Sequence, residues 1–506
     1  MTTGIPQVTA AAEIKTAVRH SFVYGLGNVM AKALGFFMIP FYTHYLTPKD
    51  YGVLEILDLS MSLLGMFLAM GMTAAMLRSY VGAKTEQERH RIVGTAFVFV
   101  LGTGLGTFFL MLTVVRQVSV MVVGPDTSPN YFLTAFSSFI VGYIANVPRT
   151  YLRAREASGA FVTVETVGLL LMLVLNVFFI VGLKLGAFGI LLSSVLIGGA
   201  QLIVLSVWML RGIGIHFDMP LLSKMLAFGF PLMFSNMAVF ALNFSDRFFL
   251  QHLRGLEVVG VYAVGYKFAF MLNYLVVQPF MIMWQTRMYV IHQNSEHRSI
   301  FSQIFVLYSV LLIYAGLAMA VLSPELVRIM VGPQFGAGQN VIPIVTLAYV
   351  FYGIGYYLEL GMLLKDRSSL VGAVGAGAAI LNLGLNYVLV LHFGMMGAAW
   401  ATLASFLGIA LASYWLSERV LPLSLGAGRV TSTVLFAISL YLVARFCTPA
   451  SVGATVTLKL FLLAAFPWVL WKTNILSTAE KGTLISAGRM VRGRLSSWTT
   501  AVGGIL

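Results

Sequence analysis

The chain alternates long apolar runs with short polar connections. After 20 polar residues closing on Lys15, Arg19 and His20, apolar runs occupy roughly 21–44, 53–80, 92–115, 131–152, 161–183, 187–209, 224–250, 258–287, 301–323, 341–364, 369–391, 394–417, 430–447 and 454–474. A helix rising 1.5 Å per residue crosses a hydrocarbon layer of about 30 Å in about 20 residues, and it satisfies its own backbone polar groups on the way. The pattern therefore predicts an all-α membrane protein with about 14 transmembrane helices. The first run is too long for the apolar core of a leader and no small-residue cleavage site follows it, so it reads as a span. The turns near 181–190 and 390–396 are very short, and the longest connection is about 17 residues.

Composition agrees. Of 506 residues, 59% are hydrophobic and 10% charged, where a soluble domain carries about 25% charged. A soluble enzyme, a secreted disulfide scaffold and a disordered chain are excluded, and the single cysteine, Cys447, forms no internal disulfide. The net charge of +14 does not indicate a nucleic-acid partner, because the basic residues are dispersed between apolar runs. One alternating set of connections is rich in them, including Lys84, Arg89, Arg91, Arg153, Arg155, Lys365, Arg367 and the tail's Lys481, Arg489, Arg492 and Arg494. The other set holds Lys49, Arg116, Lys184, Arg254, Arg328, Arg445 and Lys459. By the positive-inside rule both termini are expected to be cytoplasmic.

The sequence also repeats at an interval of 207–210 residues. Leu46–Gly52 after the first span matches Leu253–Gly260 after the seventh, and Asn28 matches Asn236. Arg78 matches Arg287, Arg155-Glu156 matches Lys365-Asp366, and Leu175-Asn176 with Gly186 and Gly189 matches Leu385-Asn386 with Gly394 and Gly397. Two six-helix lobes, 21–210 and 211–420, are expected, related by a pseudo-two-fold along the membrane normal. They are flanked by a tail at 1–20, two extra helices at 421–476 and a basic tail at 477–506. Parallel repeats of this kind are a transporter architecture, with the substrate site between halves and alternating access by rocking.

Pro40-Phe-Tyr-Thr-His-Tyr-Leu-Thr-Pro-Lys-Asp-Tyr-Gly52 resembles the signature after the first helix of polysaccharide-biosynthesis flippases, the O-antigen and exopolysaccharide translocases of the MATE-like superfamily. Asp246-Arg-Phe-Phe-Leu with Val259-Gly-Val-Tyr-Ala-Val-Gly-Tyr-Lys267 resembles the same family's signature across helices seven and eight. The resemblance covers the whole chain. It implies a non-enzymatic carrier that moves an undecaprenyl-diphosphate-linked oligosaccharide from the cytoplasmic to the periplasmic leaflet. Its partners would be membrane lipid and, beside it, a polysaccharide polymerase and glycosyltransferases. The sugar is left open.

Charges inside spans mark protein interior or a wet cavity, since each costs roughly 2.5–3.5 kcal/mol at mid-bilayer even on insertion scales. They are Lys32, Glu55, Asp58, Arg78, Arg149, Glu165, Asp246, Arg247, Lys267 and Glu359. Lys32 lies about 12 residues into the first span, roughly 18 Å deep, with Asn28 one turn earlier. Lys32, Asn28, Asn236, Arg247 and Lys267 are the candidate substrate-binding residues, with Lys32 neutralising the diphosphate. Asp58 with Lys267, and Arg149 with Glu359, hold opposite charges at repeat-equivalent positions. They are candidate gates for the periplasmic and cytoplasmic mouths. Glu55 and Asp58 are candidate sites for a coupling proton or sodium ion, with coupling left open; no cofactor is expected.

Other patterns carry less. The glycines at 102–106, 353–355 and 372–377 lack the strand and lysine of a phosphate loop and read as helix packing. His292 and His297 have no accompanying ligands, so no metal is expected. Tyr24, Tyr42, Tyr45, Tyr266 and Trp284 are candidates for stacking on sugars or for anchoring at the interface. A multidrug or cation antiporter and a peptidoglycan-precursor (lipid II) flippase of the same superfamily are the competing readings. A membrane polymerase or ligase lacks the large outer loop it would need.

Overall fold

The computed structural model describes residues 35–447, 451–473 and 475–486, so Lys32, Asn28 and most of the first expected span lie outside the described residues. Helices and turns make up the described chain, with no strand among the described residues. In order they are α1 (Ile39–Tyr45), α2 (Pro48–Ala69), α3 (Met72–Gly82), α4 (Glu86–Val123), α5 (Pro129–Ala154), α6 (Ser158–Val177), α7 (Gly186–Ile213), α8 (Met219–Arg254), α9 (Leu256–Leu272), α10 (Gln278–His292), α11 (His297–Met330), α12 (Ile342–Leu358), α13 (Leu360–Leu364), α14 (Ser368–Val420), α15 (Ala427–Phe446) and α16 (Val452–Lys472). Among the described residues, twelve helices are long and apolar enough to cross a membrane. The longest of these, α14, is two helices meeting at Gly394 (φ 56°, ψ −132°), so it answers to two of the expected spans. Large apolar side chains such as Phe109, Leu110, Val174 and Ile203 are exposed, a surface that lipid tolerates and water does not.

Two expected spans are interrupted. The run at 53–80 breaks into α2 and α3 at Met70 (φ 43°) and Gly71 (φ 67°), both left-handed. A left-handed pair cannot continue the hydrogen-bond ladder. The Tyr143 hydroxyl donates to the Leu68 carbonyl at 3.0 Å beside the break. Gly71 lies so close to Gly229 of α8 that a side chain on either would overlap the other's backbone. The run at 258–287 passes through one π-helical turn, Asn273–Val277, between α9 and α10. Shifted by the repeat interval, the Met70–Gly71 break falls at the end of that turn.

The backbone also carries the repeat. Left-handed Glu156 and Asp366 (both φ 55°), Lys184 and Gly394 (φ 55° and 56°), and Gly214 and Ser424 (φ 70° and 52°) are each separated by 210 residues. A non-glycine residue adopts this conformation at an energetic cost, so three such coincidences at one spacing establish two copies of one chain path. Buried Asn176 and Asn386 share that spacing, and Asn176 donates to the Tyr42 hydroxyl at 2.8 Å.

By contacts the chain forms two compact units. The first comprises residues through Val264 with Met330–Gly338 and Leu383–Ala398. Its interior stacks Phe132 on Phe136 and Phe108 on Phe136, with centroids 6.2 Å apart in each pair. The second comprises Gly265–Ile329, Gln339–Asn382 and the chain from Ala399 onward. Its core is aromatic: Tyr357 stacks on Trp284 at 4.6 Å and on Phe280 at 6.2 Å, and its hydroxyl donates to the Phe301 carbonyl.

The two helices outside the repeat, α15 and α16, dock in this second unit. Phe466 of α16 stacks on Tyr314 of α11 and on Phe436 of α15. Lys459, assigned to a connection by its charge, instead lies within α16, 6% exposed, and donates to both oxygens of Glu325 on α11 at 2.6 and 2.8 Å. At the other end Arg429 donates to both oxygens of fully buried Glu480 at 2.9 Å. Removing one member of a buried pair strands the other charge, at about 3–5 kcal/mol when burial is complete. With the Glu325 side chain 28% exposed, Lys459→Met should cost roughly 2–3 kcal/mol. Its melting temperature in detergent should fall, and adding Glu325→Gln should restore most of the loss. An unchanged melting temperature in the single variant would refute this docking contact.

Candidate functional site

The face of the first unit that carries the 40–52 segment is assembled from backbone contacts. Thr47 caps α2, with its hydroxyl accepting from the Asp50 amide and the Asp50 carboxylate accepting from the Thr47 amide, both at 3.1 Å. This capping box fixes how the chain enters the helix. One turn on, the start of α2 crosses the start of α9. A Cβ on Gly52 would overlap the Leu256 carbonyl and lie 3.2 Å from the Gly260 nitrogen. A Cβ on Gly260 would overlap the Pro48 carbonyl and lie 3.0 Å from the Gly52 nitrogen. Gly52 and Gly260 are repeat-equivalent, as are Pro48 and Leu256, so the crossing is symmetric about the repeat axis. Two positive helix ends meet there, and Asp50 and Glu257 in the two first turns offset them.

Further contacts close this signature face. Thr43 accepts from the Gly332 amide at 3.1 Å, its carbonyl accepts from Gln334 at 2.8 Å, and Tyr51 meets Phe335 edge-on at 5.7 Å. From the end of α8, Arg254 donates to the Leu391 and Val390 carbonyls at 2.6 and 3.3 Å, and Gln251 donates to the Val122 carbonyl. A depression of about 540 Å³ opens beside these contacts, lined by Pro48, Arg254, Glu257, Gln334 and His392 among others.

Beneath the crossing lies a buried ionic cluster. Arg247 is 1% and Asp246 2% exposed. Arg247 Nη1 donates to Asp246 Oδ1 at 2.7 Å and to the Asn243 carbonyl at 2.9 Å, and its Nε stands 3.8 Å from Glu55 Oε1. Tyr262 donates its hydroxyl to Asp246 Oδ2 at 2.5 Å and offers its ring to the guanidinium, which is 5.3 Å from the centroid. Such charges stay buried only when paired and hydrogen-bonded. Arg247, expected to meet substrate, is thus held between α2, α8 and α9 through Glu55, Asp246 and Tyr262. The second signature segment supplies four parts of this face: Asp246, Arg247, Gly260 and Tyr262.

The remaining sequence candidates are scattered. Asn236 is exposed on α8; Asp58 is exposed on α2 and Lys267 half-buried on α9, and each of these last two has a partner. The expected Asp58–Lys267 and Arg149–Glu359 pairs each join residues of different units. Arg149 is engaged within the first unit, by Glu165 at 3.2 Å and by Gln201. Tyr266 and Trp284 are buried in the aromatic core. Among the described residues no three metal-ligating side chains gather. Sequence reasoning read Gly52 and Gly260 only as a repeat match; Pro48 before one and the short Arg254-Gly255 link before the other were the signal that two helix starts carry a glycine at the same depth.

A family model described as "Polysaccharide biosynthesis protein" matches residues 17–284. The chain belongs to that family. No curated protein matches. Among solved structures the chain resembles the lipid II flippase MurJ in an inward closed conformation, with a TM-score of 0.70 at 12% identity over 89% of this chain and 99% of that one. It also resembles an inward-facing multidrug-resistance MATE transporter of the MOP superfamily (TM-score 0.61, 14% identity, 78% and 95% covered). A third is a MOP-superfamily transporter from Pyrococcus furiosus (TM-score 0.51, 13% identity, 81% and 96% covered). These likenesses give the fold alone, a bundle of membrane-length helices of the kind seen in those structures.

The glycine crossing generates a direct test. Gly52→Val or Gly260→Val must push the helix starts apart, so backbone amides at 48–53 and 256–261 should exchange with deuterium about tenfold faster or more, as local opening becomes cheaper. Gly82→Ala, whose Cβ meets nothing within 4 Å, should leave exchange unchanged. Valine variants that exchange like wild type would show that the crossing is not close-packed in the membrane.

Proposed function

We propose that this chain is a non-enzymatic flippase. It carries an undecaprenyl-diphosphate-linked oligosaccharide from the cytoplasmic to the periplasmic leaflet of the bacterial inner membrane, for cell-surface polysaccharide assembly. Family membership supports the class of cargo. The observation that carries the mechanism is the signature face, sealed by repeat-equivalent glycines and hydrogen bonds with no covalent link. A seal of that kind separates and re-forms, as alternating access requires. The excess of basic residues in the opposite connections supports assigning the signature face to the periplasm. A diphosphate and its glycan cannot cross hydrocarbon unaided, because their desolvation is uncompensated there. Lys32, deep in the first span, is proposed to compensate the diphosphate, with Asn28 and Asn236 contributing hydrogen bonds. The polymerase and glycosyltransferases that finish and begin the glycan are the proposed neighbours.

Reconstitution tests this. Full-length protein in liposomes should translocate a fluorescent undecaprenyl-diphosphate glycan, read by the fraction a membrane-impermeant quencher reaches, well above protein-free vesicles. Lys32→Ala should slow translocation about tenfold, the order of one charge-assisted contact, at an unchanged melting temperature. Rates equal to protein-free vesicles with this cargo would refute the proposal, and transport confined to lipid II would assign the chain to the peptidoglycan precursor instead.

A further inference from the structure

Helix α12 presents one stripe of side chains that neither the buried cluster nor the seal uses. Tyr349, Tyr352, Tyr356 and the capping residue Glu359 follow at intervals of three, four and three, which places them on one face over about 15 Å. Tyr349 is fully buried and its hydroxyl meets that of Tyr266 at 2.7 Å. Beyond it the stripe opens, with Tyr352, Tyr356 and Glu359 only half-buried. The Tyr352 and Tyr356 rings are parallel within 6°, displaced, with centroids 6.2 Å apart. Phe406 tilts against Tyr352 at 5.0 Å, and Gln285 of α10 donates to the Tyr356 hydroxyl at 3.0 Å.

Three features mark this stripe as a place for a ligand. Among the described residues the Glu359 carboxylate has no hydrogen bond or ion pair and the Tyr352 hydroxyl has no hydrogen bond. Both lie within an apolar, membrane-length helical segment, where acyl chains cannot satisfy them. Glu359 stands at the junction of α12 and α13, closing one helix and opening the next, and its side chain caps neither. Lastly, the repeat-equivalent positions in the first lobe are Phe139, Gly142, Asn146 and Arg149, so the stripe belongs to one lobe alone and is no requirement of the shared fold.

Resting on the flippase reading, the geometry points to this stripe as the sugar-binding track of the carrier. The part-exposed face of the parallel Tyr352–Tyr356 pair takes the C–H face of a pyranose ring. Glu359 accepts from its hydroxyls, and Gln285 holds the Tyr356 hydroxyl in place. A cation is the competing occupant, since a carboxylate beside aromatic rings attracts one as well, and the flippase reading favours the glycan. The diphosphate has no part here, as the stripe's one charge is negative.

The test measures binding of two probes to full-length protein in nanodiscs: undecaprenyl diphosphate bearing a single hexose, and the same lipid diphosphate without sugar. Tyr352→Ala with Tyr356→Ala should raise the Kd of the glycosylated probe about tenfold, the size of losing an aromatic contact surface, and leave the sugar-free probe within twofold. Tyr352→Phe with Tyr356→Phe should retain most of the affinity because the rings remain. Glu359→Gln should weaken only the glycosylated probe. If both probes weaken together, or neither responds, the track is refuted while the flippase reading stands. Wild-type protein that binds neither probe refutes the flippase reading and the track with it. Tight binding of tetraphenylphosphonium, lost in the tyrosine and Glu359 variants, would assign the stripe to cations and overturn the proposal.

Discussion

The arrangement of the first unit depends on the backbone of Gly52 touching the backbone of α9 while Gly260 touches that of α2. Two helix starts with like-signed dipole ends do not approach spontaneously. They do so here because neither residue has a Cβ, because Asp50 and Glu257 lend each start a negative charge, and because the Thr47 capping box sets the angle of entry. The other contacts of that face follow from the approach: Thr43 reaches Gly332, Tyr51 reaches Phe335, and Arg254 reaches the carbonyls at the kink of α14. Polar and backbone groups make the specific contacts of this face, and water can replace such groups one for one, so their net contribution is modest.

The buried charges divide by purpose. Asp246, Arg247, Glu55 and Tyr262 join three helices just below the crossing, and Lys459 with Glu325 joins the two extra helices to α11. In hydrocarbon the alternative to a pair is a stranded ion, so each pair specifies which helix neighbours which even where its net stabilisation is small. Glu359 breaks that pattern, since it has no countercharge among the described residues. A carboxylate tolerated without an ion pair within a membrane-length helical segment is the kind of local exception that function imposes on a fold.

Much of this was legible in the chain itself. Apolar runs of sufficient length gave the spans, since a bilayer leaves a helix few alternatives. The repeat was legible as well, and positive φ recurs at its interval, at 156 and 366, 184 and 394, and 214 and 424, although Lys184 and Gly394 share no chemistry. What stayed hidden was tertiary. The break at Met70–Gly71 depends on Gly229, far away in sequence, accepting the approach, and no local propensity announces it. Arg149 was paired by repeat arithmetic with Glu359, whereas the structure places Glu165 and Gln201 against it. Charge positions alone cannot rank partners that lie within one lobe against partners across the repeat. The Tyr349–Tyr352–Tyr356 spacing was visible, but tyrosines at helical intervals are ordinary core, and only their partial exposure beside an unpaired acid separates them from it.

Symmetry of path with asymmetry of chemistry is the arrangement a carrier of a two-part headgroup needs. In the proposed carrier, repeat-equivalent contacts such as Gly52 with Gly260 would let one rotation open both contributions together. An undecaprenyl-diphosphate glycan is anionic at one end of its headgroup and neutral, hydroxyl-rich and ring-shaped at the other. Identical inner surfaces could match only one end. At the positions where one lobe carries Arg149, the other carries Glu359, and where one carries Gly142 and Asn146, the other carries Tyr352 and Tyr356. Under the proposed function, divergence at such positions, with Gly52 and Gly260 kept equivalent, would let one motion act on a cargo whose two ends demand opposite chemistry.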